Sequence, residues 1–262
     1  MTSELQHLLP SVIKIVKQVG HFIKSESQHF LTGSVEYKTS NDLVSYVDRC
    51  SETMLCEALD RLHPGLGFET EEQQVIRQGA TRWIIDPLDG TTNFIHQIPL
   101  YAISVALAQD NEILLGVVYE INNQDLYSAI KGQGACKNDT PIHVSPTAHF
   151  NQSLIATGFP ISDFPNKSKY LNCLGPLMTQ TRGIRRMGAA AVDLCFTAEC
   201  KFDLFFEPQL KPWDVAAGAL ILESAGGLVS DFSGGTDWLY GKSLIGGNPH
   251  MHKAFLNFMK TI

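Results

Sequence analysis

The 262-residue chain has no Cys-x-x-Cys pair, no low-complexity tract, no internal repeat, and no uninterrupted apolar run near the ~18 residues of a membrane-spanning helix. Each absence excludes a class. Its six cysteines, Cys50, Cys56, Cys136, Cys173, Cys195 and Cys200, stand at no zinc-finger spacing with histidine, so they read as reduced thiols in a cytoplasmic protein. A chain this long buries enough surface to fold without disulfide staples. Excess positive charge is missing too: a formal charge of −7 gives no long-range attraction to nucleic acid or to an anionic membrane. A polyanionic ligand would then need a local basic patch or bound cations. Leu5, Leu8, Leu9, Val12, Val16, Val19 and Phe22 are interrupted by Pro10, Lys14, Lys17 and His21, the pattern of an amphipathic helix and not of a signal peptide.

What is present is the texture of an ordinary globular protein, 44% hydrophobic and 18% charged. After a polar stretch from Leu31 to Asn41, Leu43, Val44, Val47, Met54, Leu55, Ala58, Leu59 and Leu62 predict a second helix, stopped by His63-Pro64-Gly65. Trp83-Ile84-Ile85 is a short strand. The runs 101–109 and 112–120 form a hairpin about Asp110-Asn111, continued as a meander through 126–130, with a turn at Gly132 and Gly134 and a further strand at 141–144. The second half offers a strand at Leu154-Ile155-Ala156, helices over 168–180 and 189–200, a strand over 201–207, a helix over 213–225 and a last strand over 227–231. Helices alternating with mostly antiparallel strands predict an α+β or layered α/β fold. Two subdomains, 1–150 and 151–262, would meet near 145–155 within one compact unit.

Asp86-Pro87-Leu88-Asp89-Gly90-Thr91 carries the chemistry. It follows an apolar strand and precedes a possible short helix. Two carboxylates three residues apart around a proline can point to one centre, with the Leu88 carbonyl as a third oxygen, which suits a hard cation. The amides of Gly90 and Thr91 could cradle a phosphate beside it. Such a string is also a common capping turn, Glu71-Glu72 alone would pass for a solvated loop, and Asp214 for an N-cap. Three other signals read as structure. Cys195 and Cys200 fall in an apolar helix without a phosphate loop, His250-Met251-His252 sits on a surface helix, and Gly132-Gln133-Gly134 is a turn.

Lys38 with Asp42-Leu43-Val44-Ser45 and Asp48, Thr70-Glu71-Glu72, Trp83 to Phe94, Gly132-x-Gly134-Ala135, Arg186-Met187-Gly188-Ala189-Ala190-Ala191, and Glu207 ahead of Trp213-Asp214 follow one another in order. Across nearly the whole chain this resembles the inositol monophosphatase family, within the lithium-sensitive, magnesium-dependent phosphatases. The resemblance implies a layered αβαβα sandwich, α+β in class, shared with fructose bisphosphatases, and a homodimer. It implies two or three magnesium ions: Glu71, Asp86 and the Leu88 carbonyl for the first, Asp86, Asp89 and Asp214 for the second, and a weaker third near Glu71. Glu71, Thr91 and Asp89 would be catalytic, Gly90 and Thr91 would hold the phosphate, and Asp89, Gly188, Ala189 and Glu207 would touch the substrate, with Lys38 and Asp48 in support.

The implied activity is that of a phosphoric monoester hydrolase. Water made nucleophilic by the first cation, with Glu71 and the Thr91 hydroxyl orienting it, would attack in line, with no phospho-enzyme. Within the family, Gly90-Thr91-Thr92-Asn93-Phe94 resembles the version that acts on myo-inositol 1-phosphate. The other branches act on 3′-phosphoadenosine 5′-phosphate, histidinol phosphate or fructose 1,6-bisphosphate. Some bacterial relatives also partner the transcription machinery, for which Arg182, Arg185 and Arg186 could form a contact patch; the net acidity argues against direct nucleic-acid binding.

Overall fold

In the computed structural model residues 2–29, 35–39, 42–160, 164 and 167–261 are described, with the backbone alone for residue 2 and residues 35–45. Helix α1 (Thr2–Ser27) buries Leu5, Val12, Val16, Val19 and Ile23, spaced three, four or seven apart on one face as the sequence predicts. The next two elements correct the sequence reading. Strand β1 (Val35–Thr39) lies within the expected polar stretch and pairs antiparallel with β2 (Asp42–Ser45). Leu43 and Val44 therefore belong to β2, and helix α2 (Tyr46–Leu62) starts later than their spacing suggested. Pairing with Tyr37 and Glu36 overrides a helical spacing that Leu43 and Val44 match only by coincidence.

Strands β3 (Gly67–Thr70), β4 (Thr81–Asp89), β5 (Ala102–Gln109), β6 (Glu112–Glu120), β7 (Asp125–Ile130), β8 (Ala135–Lys137) and β9 (Thr140–Ile142) form one sheet in that spatial order, with the short helix α3 (Thr91–Ile95) after β4. Only β3 and β4 run parallel; the other neighbours are antiparallel. The hairpin about Asp110-Asn111 forms as expected. Strand β8 does not appear in the sequence reading, because three residues after two glycines leave no period to detect.

The second sheet has the order β11-β10-β12-β14-β13, built from β10 (Leu154–Thr157), β11 (Gly183–Arg185), β12 (Leu204–Pro208), β13 (Leu228–Ser230) and β14 (Ser243–Gly247). It is mixed: β10 runs parallel to both neighbours, while β14 is antiparallel to β12 and β13. The strand at 228–230 is thus not the last. Helices α5 (Ala190–Ala198) and α6 (Pro212–Ser224) lie between the two sheets, and α4 (Lys167–Gln180) and α7 (Pro249–Met259) cover the far face of the second. Phe205 and Phe206 record this in two residues. The first faces the α5–α6 layer, and the second packs with Tyr170, Met251 and Phe255.

With α1 and α2 covering the outer face of the first sheet, the order is helix, sheet, helix, sheet, helix. Helix α7 is no surface helix: Met251 and His252 are buried, and His252 Nε2 lies 2.9 Å from Ser230 Oγ. Burial holds that imidazole's pKa below its usual value, so it stays neutral as a core group. Cys195 is buried in α5 as expected, but Cys200 lies past the helix end and is exposed. Among the described residues no helix is long and apolar enough to cross a membrane.

Candidate functional site

Strand β4 ends the site's first element. In a regular strand Asp86 and Asp89, three apart, would point to opposite faces of the sheet. Between them the register slips: Asp86 pairs with Ser104 but Asp89 with Ala102, so one extra residue bulges out at Pro87-Leu88. Proline supplies no ladder hydrogen bond and is tolerated at such a bulge. Both carboxylates therefore turn to the α5–α6 face. Leu88 N donates to Asp86 Oδ1 at 2.9 Å and tightens the turn. Gly90 follows at φ 92°, a left-handed conformation that a side chain would strain, and starts α3.

The inner helices complete the site. The amides of Ala190 and Ala191, at the start of α5, donate to Asp89 Oδ1 and Oδ2 at 3.1 and 2.7 Å. Asp214 stands in the first turn of α6, where its Oδ2 accepts the Lys211 amide at 2.7 Å and the helix dipole favours its charge. The Ser104 hydroxyl donates to the Trp213 carbonyl at 3.2 Å, which ties the start of α6 to the strand opposite Asp86. Asp214 is thus both a cap and a neighbour of the β4 acids.

Glu71 follows β3, half-buried, and its amide donates to the Ile85 carbonyl at 3.2 Å. Its charge reaches both aspartates. Burial, then the charges of Glu71, Asp89 and Asp214, raise the Asp86 pKa well above the carboxylate range. Burial lifts Asp89 to about 7, against the pull of the Ala191 and Ala190 amides. Glu69 is engaged elsewhere: its Oε2 lies 3.0 Å from Arg82 Nε and accepts the Tyr240 hydroxyl at 2.9 Å. The Glu72 amide donates to Glu52 at 2.7 Å.

A donor set of four carboxylates around a carbonyl is hard-cation chemistry, and their mutual repulsion is what a divalent ion relieves. The residues present fit magnesium. Among the described residues no three acidic, histidine or cysteine side chains already converge as a closed cage, so these acids are neighbours rather than a finished coordination shell. Thr91 Oγ lies 2.9 Å from Asp48 Oδ1 and 3.0 Å from the Leu88 carbonyl. Its single proton serves one at a time. Asp48 itself is fully buried on α2. Lys38 falls on β1, where side chains lie outside the described residues.

Beside the acids lies a pocket of about 160 Å³ lined by Asp89, Asp214, Glu207, Arg186, the 188–190 segment and Leu210. Glu207 extends from β12 across Gly158, where a Cβ would come within 2.0 Å of its carboxyl carbon. Burial, then the Asp214 charge, raises Glu207 to about 8, with Arg186 pulling the other way. The sequence reading brings these residues together, with two omissions. Asn93 served there only as a family marker, yet its Nδ2 donates to the carbonyls of Leu100 and Met187, both at 2.8 Å, and braces the pocket wall. Arg186 served there as a family marker and a candidate contact-patch residue; it is exposed, and it also lines this pocket.

Comparisons agree over the whole length. The family model described as the inositol monophosphatase family matches residues 4–259. An inositol-1-monophosphatase of Rhizobium meliloti is 40% identical over 249 residues, 94% of each chain. The Nus factor SuhB of Salmonella typhimurium is 35% identical over 255 residues, 97% of this chain and 96% of its own. The crystal structure of the extragenic suppressor protein suhB from Bartonella henselae superposes with a TM-score of 0.91 at 36% identity, over 97% of this chain and 98% of that one.

Proposed function

Since the chain belongs to the inositol monophosphatase family, a family of metal-dependent phosphatases, we propose that it hydrolyses a small phosphate monoester with magnesium, myo-inositol 1-phosphate foremost. The observation that carries this reading is the bulge in β4. It turns Asp86 and Asp89 toward Asp214 and the amides of α5, next to a pocket holding Glu207. Glu71, Asp86, the Leu88 carbonyl, Asp89 and Asp214 would hold the cations, two or three in number. Bound there, magnesium supplies Lewis-acid stabilisation of phosphoryl charge and a lowered pKa for water.

The chain's own residues do the rest. Thr91 donates its proton to Asp48, which leaves the Leu88 carbonyl to a cation and turns a Thr91 lone pair toward an attacking water. Glu71 orients the same water. The backbone at Gly90 and Thr91 receives the phosphate, and the stacked amides on Asp89 keep that carboxylate from rotating away as charge develops. Asp89, Gly188, Ala189 and Glu207 frame the departing alcohol, whose hydroxyls Glu207 accepts. A volume of about 160 Å³ falls below the range of roughly 300–1,000 Å³ for drug-sized ligands, which favours a small polyol over a nucleoside.

The direct test is phosphate release, with and without magnesium, from myo-inositol 1-phosphate, 3′-phosphoadenosine 5′-phosphate, histidinol phosphate and fructose 1,6-bisphosphate. Release from the inositol ester at the highest kcat/KM is expected; no magnesium-dependent release from any of them refutes the reading. Lithium at millimolar order should inhibit, through a vacated magnesium position. A homodimer is expected by sedimentation.

A second reading rests on the relatives named Nus factor SuhB: a role beside catalysis, as a protein partner of the transcription machinery. Arg182, Arg185 and Arg186, all exposed in and next to the edge strand β11, would offer the contact. Pulldown with the wild type and an Asp89→Asn variant separates that role from turnover.

A further inference from the structure

Helix α2 carries two acids one turn apart, Asp48 and Glu52, both fully buried. Asp48 accepts the Thr91 hydroxyl. Glu52 accepts backbone amides instead: its Oε2 takes the Glu72 amide at 2.7 Å and its Oε1 the Gln74 amide at 2.6 Å. Among the described residues its carboxylate forms no ion pair. Burying a carboxylate without a counter-charge is costly. A side chain needed only to fill the space between α2 and the first sheet would be apolar, as Leu55 and Leu59 on the same helix are.

The turn that Glu52 grips is shaped for an anion. Gln73, between the two bonded amides, stands at φ 53°, in the left-handed region that side chains disfavour. Such a residue turns the N–H groups on either side of it toward one concavity, which an anion fills. Without the carboxylate two amide dipoles would meet head to head, and the turn would relax. Glu71 immediately precedes it. Its own amide on the Ile85 carbonyl fixes the chain on the sheet side, and the Glu52 bonds fix it on the helix side. We propose that Glu52 is a positioning residue for the metal centre, holding Glu71 toward Asp86 by clamping the turn that follows it. This role rests on the phosphatase reading above. Through it α2 sets both groups that orient the attacking water, Thr91 by way of Asp48 and Glu71 by way of Glu52.

The test is calorimetric titration of the full, metal-free chain with magnesium, beside phosphate release from myo-inositol 1-phosphate. The magnesium Kd should rise about ten-fold in Glu52→Gln, which keeps one acceptor, and toward a hundred-fold in Glu52→Ala. At saturating magnesium kcat should fall in the same order while KM for the ester holds, since Glu207 and the 188–190 segment are untouched. Amide exchange at Glu72 and Gln74 should quicken in both variants. Leu55→Ala loosens the same helix without touching the turn, so it should lower the unfolding midpoint and leave the magnesium Kd in place. A magnesium Kd unmoved in Glu52→Gln overturns the role, as does an equal rise in Leu55→Ala; if Glu52→Ala fails to fold, Glu52→Gln decides. Should the wild type bind magnesium with this dependence on Glu52 and release no phosphate from any ester, the phosphatase reading falls and the positioning stands. Should it bind no magnesium, both fall.

Discussion

The two faces of the first sheet are built from different residues. Toward α1 and α2 it presents Trp83, Ile85, Ile103, Val105, Leu107 and Val117, all buried. Toward α5 and α6 its central strands present Ala102, Ser104, Ala106, Ala108 and Gly116, with Ile84, Ile113, Val118 and Tyr127 the larger exceptions. Large side chains hold helices off; small ones admit them. At Gly116 the approach is so close that a Cβ would lie 2.9 Å from the Ala217 carbonyl of α6. That closeness delivers the amides of α5 and the carboxylate of Asp214 to the end of β4. One face supplies apolar mass, and the other gives some of it up to seat buried charge.

The largest expected effect separates the two faces by what they cost. Asp89→Asn removes a buried charge that desolvation already disfavours, so turnover should fall by at least about 10²–10³-fold while the melting temperature holds or rises. Magnesium-dependent phosphate release and calorimetry read the two quantities. Near-normal turnover would dissolve the functional half of the contrast.

Next come substitutions matched across the faces. Ile103→Ala, on the α1–α2 side, should cost about 2–5 kcal/mol in denaturant unfolding and leave KM for magnesium unchanged. Gly116→Ala adds one methyl against Ala217 on the other side, and should cost about 1–3 kcal/mol by overpacking. It should also weaken magnesium dependence, because α6 carries Asp214. If Ile103→Ala shifts magnesium affinity as much as Gly116→Ala, the division of labour between the faces is wrong.

This contrast explains what was legible in the sequence. The first sheet shows as the apolar run Trp83-Ile84-Ile85 and the β-rich runs 101–109 and 112–120, and α1 as a helical apolar spacing, so the hairpin, the meander and α1 could all be read. The acids were legible as a set because the resemblance spans the chain, and Glu71, Asp89 and Asp214 indeed lie within reach of Asp86. The bulge was not, since a parity slip at Pro87-Leu88 depends on how β5 pairs, which is not local. Leu43 and Val44 misled for the same reason: their partners Tyr37 and Glu36 lie on another strand. Strand β14 and the burial of α7 depend on a partner sheet that no local pattern announces.

A smaller effect follows from pH. With Asp89 raised to about 7 and Glu207 to about 8, against ordinary values of 3.8 and 4.5, the folded, metal-free protein holds more protons than the unfolded chain between those limits. The stability these groups contribute is fully present below about pH 4 and is lost as pH rises through 7 to 8. Calorimetry in a chelator should show the melting temperature falling from pH 5 to 8, with a shallower fall in Asp89→Asn. Magnesium should restore more at pH 8 than at pH 5, where protons compete for the same oxygens. A chelated protein whose melting temperature climbs over this range would remove the charge strain assigned to the inner face.

The smallest effect lies at the sheet's rim, where neither face rules. Tyr240, from the loop between β13 and β14, donates to Glu69 at 2.9 Å, and Arg82 bonds to both. The network joins residues far apart in sequence and sits just outside Glu71, so it resembles a clasp on the site. Yet Tyr240 is 39% exposed, and solvent screens pairs in such places. Tyr240→Phe should therefore cost under about 1 kcal/mol, a shift of roughly 2–4 °C at most for a chain of this size. A loss of several kcal/mol would mean that the halves are held together at the rim, and that the small-residue face only follows.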